Sequence, residues 1–250
     1  MSGKANQAGV VGKVAALIKA VAAHEPDGAT TSAVARTAQV ARPSAHRLLT
    51  ELEQAGFVER DKDSGHWLLG PEHYFLGTAA SARYDVTAVA QPVVRRLALA
   101  TGESAFFSAR RGDETVCLIR EDGSFPIRSH VLFEGIRFPL GVASAGLAIL
   151  AYLPQREQEE LITGRDLTST HGPTHAPGPL RERLARTRDK GYAVNPGLIV
   201  EGSWGMGAAV FDRDGQPAWA LTLTGIEARF GQQRQHELGT LLLREAHQLT

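Results

Sequence analysis

Between Val10 and Leu69 the apolar spacing is helical three times over, with a stop signal after each stretch, and then shortens to two brief runs around a polar turn. Few folds accept that order in so short a length. Val10, Val14, Leu17, Ile18 and Val21 form one stripe of an amphipathic helix over residues 10–24, which Pro26, Asp27 and Gly28 end. Thr30, Thr31 and Ser32 offer N-cap oxygens to a short helix reaching Gln39, with Val34, Ala35 and Ala38 inward. After a brief turn at Val40 and Ala41, Pro43 suits the first turn of a third helix, and Gly56 can take the left-handed position beyond its end near Ala55. Phe57–Arg60 and His66–Leu69 then flank the tip Asp61-Lys62-Asp63-Ser64-Gly65, a β-hairpin pattern. Three helices and a hairpin make the order of a winged helix-turn-helix; a small helical domain with an incidental hairpin has the same order.

Charge separates these readings. Placing Ala45, Leu48, Leu49 and Leu52 of the third helix inward sets Arg47 nearly opposite, with Ser44 and His46 beside it and Arg42 at the entrance. From Thr31 to Thr50 there are three arginines, one histidine and no acid, although residues 1–75 hold eight basic and eight acidic residues and the whole chain has 27 of each. The positive charge is sorted onto the segment a DNA-reading helix needs. Such a helix enters the major groove, where an arginine fork pairs with guanine O6 and N7. Direct contact is therefore expected from Arg42, Pro43, Ser44, His46 and Arg47, and phosphate contact from Thr31, Ser32, Lys62 and Ser64.

Residues 72–100 read as two helical segments hinged near Tyr84-Asp85, a joining element suited to dimerisation or simply to a core. From Glu103 the period becomes two: runs at 105–110 and 115–120 flank Arg111-Gly112-Asp113-Glu114, and a further strand-like run follows from Ile127 to Phe133. Helices are expected at 144–153, from Pro154 to Thr163, at 180–190 and from Gln233, with a loop over 164–179 and strands at 206–211 and 218–224. The class is α+β around an antiparallel sheet. The expected organisation is a DNA-binding domain over 1–71, a linker helix over 72–84 and a second domain over 85–250.

The stretch from Thr30 to Gly77 resembles the DNA-binding domain of the IclR family of bacterial transcriptional regulators, through Arg47-Leu48-Leu49, Gly56-Phe57-Val58-Glu59-Arg60 and Trp67-Leu68-Leu69-Gly70. The second part resembles the same family, whose sensing domain is GAF-like. Its R-x-P-L-H-A-T-A-x-G-K-A-x-L-A segment corresponds to residues 137–151, with Gly141 where the family has histidine and Leu147 where it has lysine. Asn195 replaces an aspartate, Gly205 and Met206 stand at the cysteine segment, and Ala220–Gly225 keeps the hydroxyls as Thr222 and Thr224. The resemblance implies an effector pocket around Leu140, Ser144, Ala145, Gly146, Asn195, Gly205, Met206, Thr222 and Thr224. The free N–H groups of a helix starting near Ser144 suit a carboxylate. The losses at 141, 147 and 205 imply a roomier, more apolar cavity for a bulkier or aromatic acid.

Other chemistry finds little support. Ser144 lacks the glycine two residues before it that a nucleophile elbow requires, and the glycines of 202–207 are in the wrong order for a dinucleotide site. His171 and His175 sit in a Pro/Gly loop, and Cys117, the single cysteine, reads as a small buried hydrophobe in a reducing cytoplasm. No catalytic residue, metal or cofactor is expected, and no signal peptide or membrane span. The expected partners are a double-stranded DNA operator, a small organic acid and further copies of the chain, as a homodimer or homotetramer. The alternative is a ligand-binding or enzymatic α+β protein whose winged helix serves protein contacts.

Overall fold

The computed structural model describes residues 9–81 and 86–250, and the chain separates into two compact units, Met1–Tyr84 and Asp85–Thr250. The expected hinge near Tyr84-Asp85 lies outside the described residues.

The first unit contains α1 (Val10–Ala22), α2 (Thr31–Thr37), α3 (Arg42–Gln54), β1 (Val58–Arg60), β2 (Trp67–Leu69) and α4 (Glu72–Ser81). The expected linker helix thus falls within this unit as α4. Leu17, Val21, Val34, Leu48, Leu49, Val58 and Trp67 form the core, so each helix contributes the stripe its spacing marks. Thr30 provides the α2 cap, its Oγ1 accepting from the Ala33 N–H. Both α2 and α3 close with paired backbone bonds to their last carbonyls. After α3, Gly56 takes the left-handed φ of 76°; after α2 the same conformation falls on Gln39, at φ 54°. That left-handed residue, one place earlier than Val40-Ala41, turns the chain into α3. The hairpin pairs β1 and β2 antiparallel, and Trp67 extends it by exchanging backbone bonds with Ala29. Gly70 lies so close to the Gly56 carbonyl that a Cβ there would overlap it, which brings α4 back beside the end of α3.

The second unit contains α5 (Val86–Thr101), β3 (Ser104–Arg111), β4 (Glu114–Glu121), β5 (Arg137–Pro139), α6 (Ser144–Tyr152), α7 (Gln155–Gly164), α8 (Thr168–His171), α9 (Pro177–Lys190), β6 (Ala193–Pro196), β7 (Ser203–Phe211), β8 (Pro217–Ile226) and α10 (Gln232–His247). Its six strands form one antiparallel sheet in the order β5-β4-β3-β8-β7-β6. The α+β class with an antiparallel sheet is as expected. Alternation along β7 sends Met206, Ala208 and Val210 to a core shared with Val94 and Leu97 of α5 and Leu238 and Leu242 of α10. The opposite face carries Ala209 of β7 and Ala220 of β8 against Leu147 and Ile149 of α6, with Leu180 and Leu184 of α9 outside. All residues from Ser144 to Ala151 are buried, because α6 is enclosed between the sheet and α9.

Two local expectations are corrected. Ile127–Phe133 forms no strand: Ile127 and Phe133 are 59% and 52% exposed, and of its apolar side chains only Leu132 is buried, against Phe106 and Cys117. The edge position goes to the shorter β5, which pairs with the start of β4. The 164–179 loop contains α8 and a short 3-10 turn, and α9 starts at Pro177, since proline in a first helical turn sacrifices no backbone bond. Cys117 is buried, and burial pushes its thiol up to about 12. The native protein is therefore expected to leave a disulfide reagent such as DTNB unreacted at pH 8, with one thiol titrating on denaturation; rapid reaction of the folded protein would contradict the burial.

Candidate DNA-reading surface and small-molecule cavity

On α3 the inward residues are Ala45, Leu48, Leu49 and Leu52, while Arg42, Pro43, His46 and Arg47 are exposed and Ser44 is half-buried. The Arg47 side chain is 71% exposed, and its one ion pair among the described residues is a loose 3.7 Å approach to Glu51, one turn along. A pair at that distance and exposure contributes little, so the guanidinium fork remains available to an incoming base edge. The Thr50 hydroxyl donates to the His46 carbonyl at 3.0 Å, which keeps that side chain on its own helix.

The wing is organised by residues that the charge pattern did not single out. Arg60 donates from Nε to the Gly65 carbonyl at 3.1 Å and its guanidinium lies 5.6 Å from the Trp67 ring centroid. Asp61 accepts at 2.7 Å from both the Ser64 N–H and the Ser64 hydroxyl, and these bonds hold its carboxyl below the usual range. This corrects the expectation for Ser64: its hydroxyl proton is committed to Asp61, and its oxygen also accepts from the His66 N–H at 3.2 Å. It shapes the turn and has no proton left for a phosphate. Lys62 is exposed and is the tip's cation, between Asp61 and Asp63. Thr31 Oγ1 accepts from Trp67 Nε1 at 2.9 Å, tying the start of α2 to the wing while leaving the threonine its own proton. Ser32 next to it is exposed.

In the second unit a cavity of about 20 Å³, room for a single water, lies at the start of α6. Ala143 and Ser144, Asn195 of β6, Gly205 of β7 and Thr224 of β8 line it, together with Val131 and Leu132. Thr222 is 0% and Thr224 6% exposed, and neither hydroxyl has a hydrogen-bond partner among the described residues. Register explains the arrangement. Thr224 pairs with Gly205 and Thr222 with Gly207, and a Cβ at Gly205 would come 3.1 Å from Ser144 Oγ, at Gly207 3.0 Å from the Ser144 carbonyl. The two glycines let the first turn of α6 rest directly on the sheet, with its N-terminus free of any side-chain cap.

Of the expected effector residues, the fold brings Ser144, Asn195, Gly205 and Thr224 together and places Thr222 two residues along the same strand. It does not bring in the others. Met206 points through the sheet into the α5/α10 core, because neighbours on a strand face opposite ways. Leu140 and Ala145 belong to the core around α6, and Gly146 sits against the Leu140 backbone, where a Cβ would lie 3.1 Å from Cα. Asn195 acts on the backbone: Nδ2 donates to the Val142 carbonyl at 2.7 Å and Oδ1 accepts from the Leu198 N–H at 3.0 Å. The roomier cavity inferred from Gly141, Leu147 and Gly205 is also corrected. Leu180 occupies the space beside Gly141, Ser144 that beside Gly205, and Leu147 is in the core. Ser129, whose hydroxyl lies 2.6 Å from that of Ser203, pins the 127–133 segment next to the cavity, a feature with no mark in the periodicity.

His171 and His175 pack with ring centroids 5.5 Å apart, but His175 Nδ1 is bonded to the His171 carbonyl at 2.8 Å, and burial lowers both imidazoles. Among the described residues no group of three or more potential ligands could hold a metal, and no helix is long and apolar enough to cross a membrane.

Comparison with known proteins agrees with both halves. The IclR helix-turn-helix domain family matches residues 10–62, and the bacterial transcriptional regulator IclR C-terminal family matches residues 78–250. The transcriptional repressor IclR of Escherichia coli (strain K12) is 26% identical over 220 residues, 87% of this chain and 80% of that protein. An IclR transcriptional regulator from Alicyclobacillus acidocaldarius superposes with a TM-score of 0.81 at 23% identity, covering 96% of each chain. An IclR homologue from Microbacterium hydrocarbonoxydans, solved in complex with 4-hydroxybenzoate, gives 0.76 at 23% identity, again over 96% of each. With an exposed arginine-bearing helix on one unit, a frame of antiparallel sheet and helices in the other and family matches across both, this chain belongs to the IclR family of bacterial DNA-binding transcriptional regulators.

Proposed function

We propose that this regulator binds its operator as a dimer and that a small organic acid, seated between the start of α6 and strands β7 and β8, sets the affinity. The observation that carries the effector reading is the pair of threonine hydroxyls, buried without partners beside an uncapped helix N-terminus. An orphaned buried hydroxyl costs about 1–3 kcal/mol, and a carboxylate between it and the helix N–H groups relieves both. The homologue complexed with 4-hydroxybenzoate supports an acid of that kind. Because the cavity holds one water, entry of a larger acid requires Val131 and Leu132 to withdraw, which means releasing the Ser129–Ser203 contact. Binding then moves a segment of the sensing unit, and a coupling of about 1–3 kcal/mol to DNA, reciprocal between the two ligands, is the ordinary size.

A dimer follows from surface and from need. Tyr74, Phe75 and Leu76 are exposed on α4, and one reading head buries too little surface for tight specific binding. Sedimentation should give at least twice the mass of the chain, and a monomer bound to a single half-site would refute this part.

The effector reading is tested by pairing Thr222→Val with Thr224→Val. Since each hydroxyl is unpartnered, the double variant is expected to be as stable as the parent or up to about 1 kcal/mol more stable. A panel of aliphatic and aromatic acids that raises the melting temperature of the parent should no longer raise that of the variant. An undiminished response in the variant would remove the acid from this cavity.

A further inference from the structure

Neither DNA reading nor the cavity at the start of α6 gives a role to the histidine pair between α7 and α9. His175 ends the 3-10 turn before α9 and is 2% exposed. Its Nδ1 lies 2.8 Å from the His171 carbonyl, which can only accept, so the single proton of the neutral ring sits on Nδ1. Nε2 is then a bare acceptor, buried and without a hydrogen-bond partner among the described residues. The His171 ring packs against this imidazole, 5.5 Å between centroids.

A second proton, on Nε2, meets a hostile surrounding. The charged and titratable groups that bear on the ring are Arg183 of α9, itself 7% exposed, and His171 of α8, and both oppose a new positive charge. Arg165, ahead of α8, acts on His171 in the same sense. Asp166, the acid beside it, is taken up by the N–H and the hydroxyl of Thr168. From the loop that enters α6 the ring meets backbone, at Val142, whose carbonyl already accepts from Asn195 Nδ2 at 2.7 Å. Burial first, and then Arg183, holds the His175 imidazole below its ordinary range. The same arginine links this turn to the neighbouring loop. Its Nη2 donates at 3.3 Å to the carbonyl of Thr174, next to His175, and at 3.3 Å to that of Gly141, three residues before α6.

We infer that His175 is a proton-operated catch: neutral, it keeps the segment from α8 through the 3-10 turn closed against α9 and the loop entering α6, and protonated, it releases that segment. With the segment open, the ring takes up a proton near pH 6.5, as a solvated histidine does; closed, it does so only at lower pH. The catch is therefore fully shut above about pH 6.5 and loosens as the pH falls toward the native value. Because Arg183 bonds both Thr174 and Gly141, release at the turn reaches the loop entering α6 whether or not an effector is seated there.

The test is hydrogen exchange of the full chain, read by mass spectrometry between pH 7.5 and pH 5 and corrected for the pH dependence of the chemical rate. In the parent, the amides of 168–176 are expected to open more as the pH falls, by a factor approaching about tenfold per unit, the limit for a single proton, while β7 and β8 stay protected. His175→Gln keeps a donor for the His171 carbonyl and cannot be charged, so it should remove this dependence; His171→Gln should retain most of it. Ring-nitrogen NMR of the parent, labelled at histidine, reads the same group without a variant and decides the matter if His175→Gln does not fold. It should show a neutral ring protonated at Nδ1, whose midpoint lies below that of the histidines in the denatured chain. A midpoint equal to the denatured one overturns the proposal, as does opening of 168–176 that ignores pH, or a pH dependence that His175→Gln leaves intact.

Discussion

Arg47→Ala is expected to weaken binding to the operator, sought first in the DNA upstream of the protein's own gene, by about ten- to a hundredfold while leaving the fold intact. The first half follows from geometry. Arg47 stands opposite the Leu48–Leu49 face of α3, with only the loose contact to Glu51 to hold it. In a major groove such a fork makes the bidentate guanine contact, worth about 1–3 kcal/mol of discrimination. The second half follows from exposure, since truncating a solvated side chain usually changes stability by less than about 0.5 kcal/mol. Fluorescence anisotropy on the operator and on a scrambled duplex, at two salt concentrations, measures both. The loss should fall mainly on the operator. A uniform loss on both duplexes, with a shallower salt dependence, would make Arg47 a phosphate contact instead.

Trp67→Ala should have the larger effect on stability, about 3–5 kcal/mol in the first unit, and should remove DNA binding although Trp67 reads no base. The indole is 1% exposed at the junction of all the elements that present α3: its ring is in the core, its backbone pairs with Ala29, and its Nε1 ties down Thr31. Truncation leaves a cavity beneath the wing. Trp67→Phe isolates the polar contribution, keeping most of the packing and losing the Thr31 bond, so most of the loss should be recovered. Denaturant unfolding followed by circular dichroism, with DNA affinity measured in parallel, checks both variants. Melting of the second unit should be unaffected. An alanine variant with unchanged stability and operator affinity would show that the wing does not depend on this residue.

The DNA-reading half was legible because its signals are local. Helical spacing at Leu17 and Val21, at Val34 and at Leu48 and Leu49 identifies core faces without reference to anything distant, and the absence of acids from Thr31 to Thr50 points to the opposite face. Even there, Ser64 was misread. Whether a wing hydroxyl meets a phosphate or closes its own turn depends on Asp61 bending back over it, and composition is the same in either case.

The second half was harder for a related reason. Period two announced β3, β4, β7 and β8, but a short edge strand such as β5 carries too few residues to show alternation, and the apolar content of Ile127–Phe133 counterfeited one. Met206 was assigned to the cavity through its neighbour in a matching segment, although successive strand residues lie on opposite sides of the sheet. Gly205 and Gly141 were read as space vacated for a ligand. In the fold, α6 and Leu180 occupy it, because a close-packed interior fills what a missing side chain leaves.

The amino acids alone mark a reading head with Arg47 outward and an antiparallel α+β second unit, since both are written in periodicity, turn residues and local charge, while the regulator family is carried by motifs matched residue by residue. Tertiary structure alone decided which polar groups are already satisfied. Ser64 and Asn195 are consumed by the backbone and their neighbours, while the hydroxyls of Thr222 and Thr224 and two donors of Arg183 remain unmet. Whether a partner arrives depends on how the backbone bends, as where Asp61 turns back over Ser64, or on which distant segments meet, as Asn195 meets Val142, and no pattern along the chain reports either.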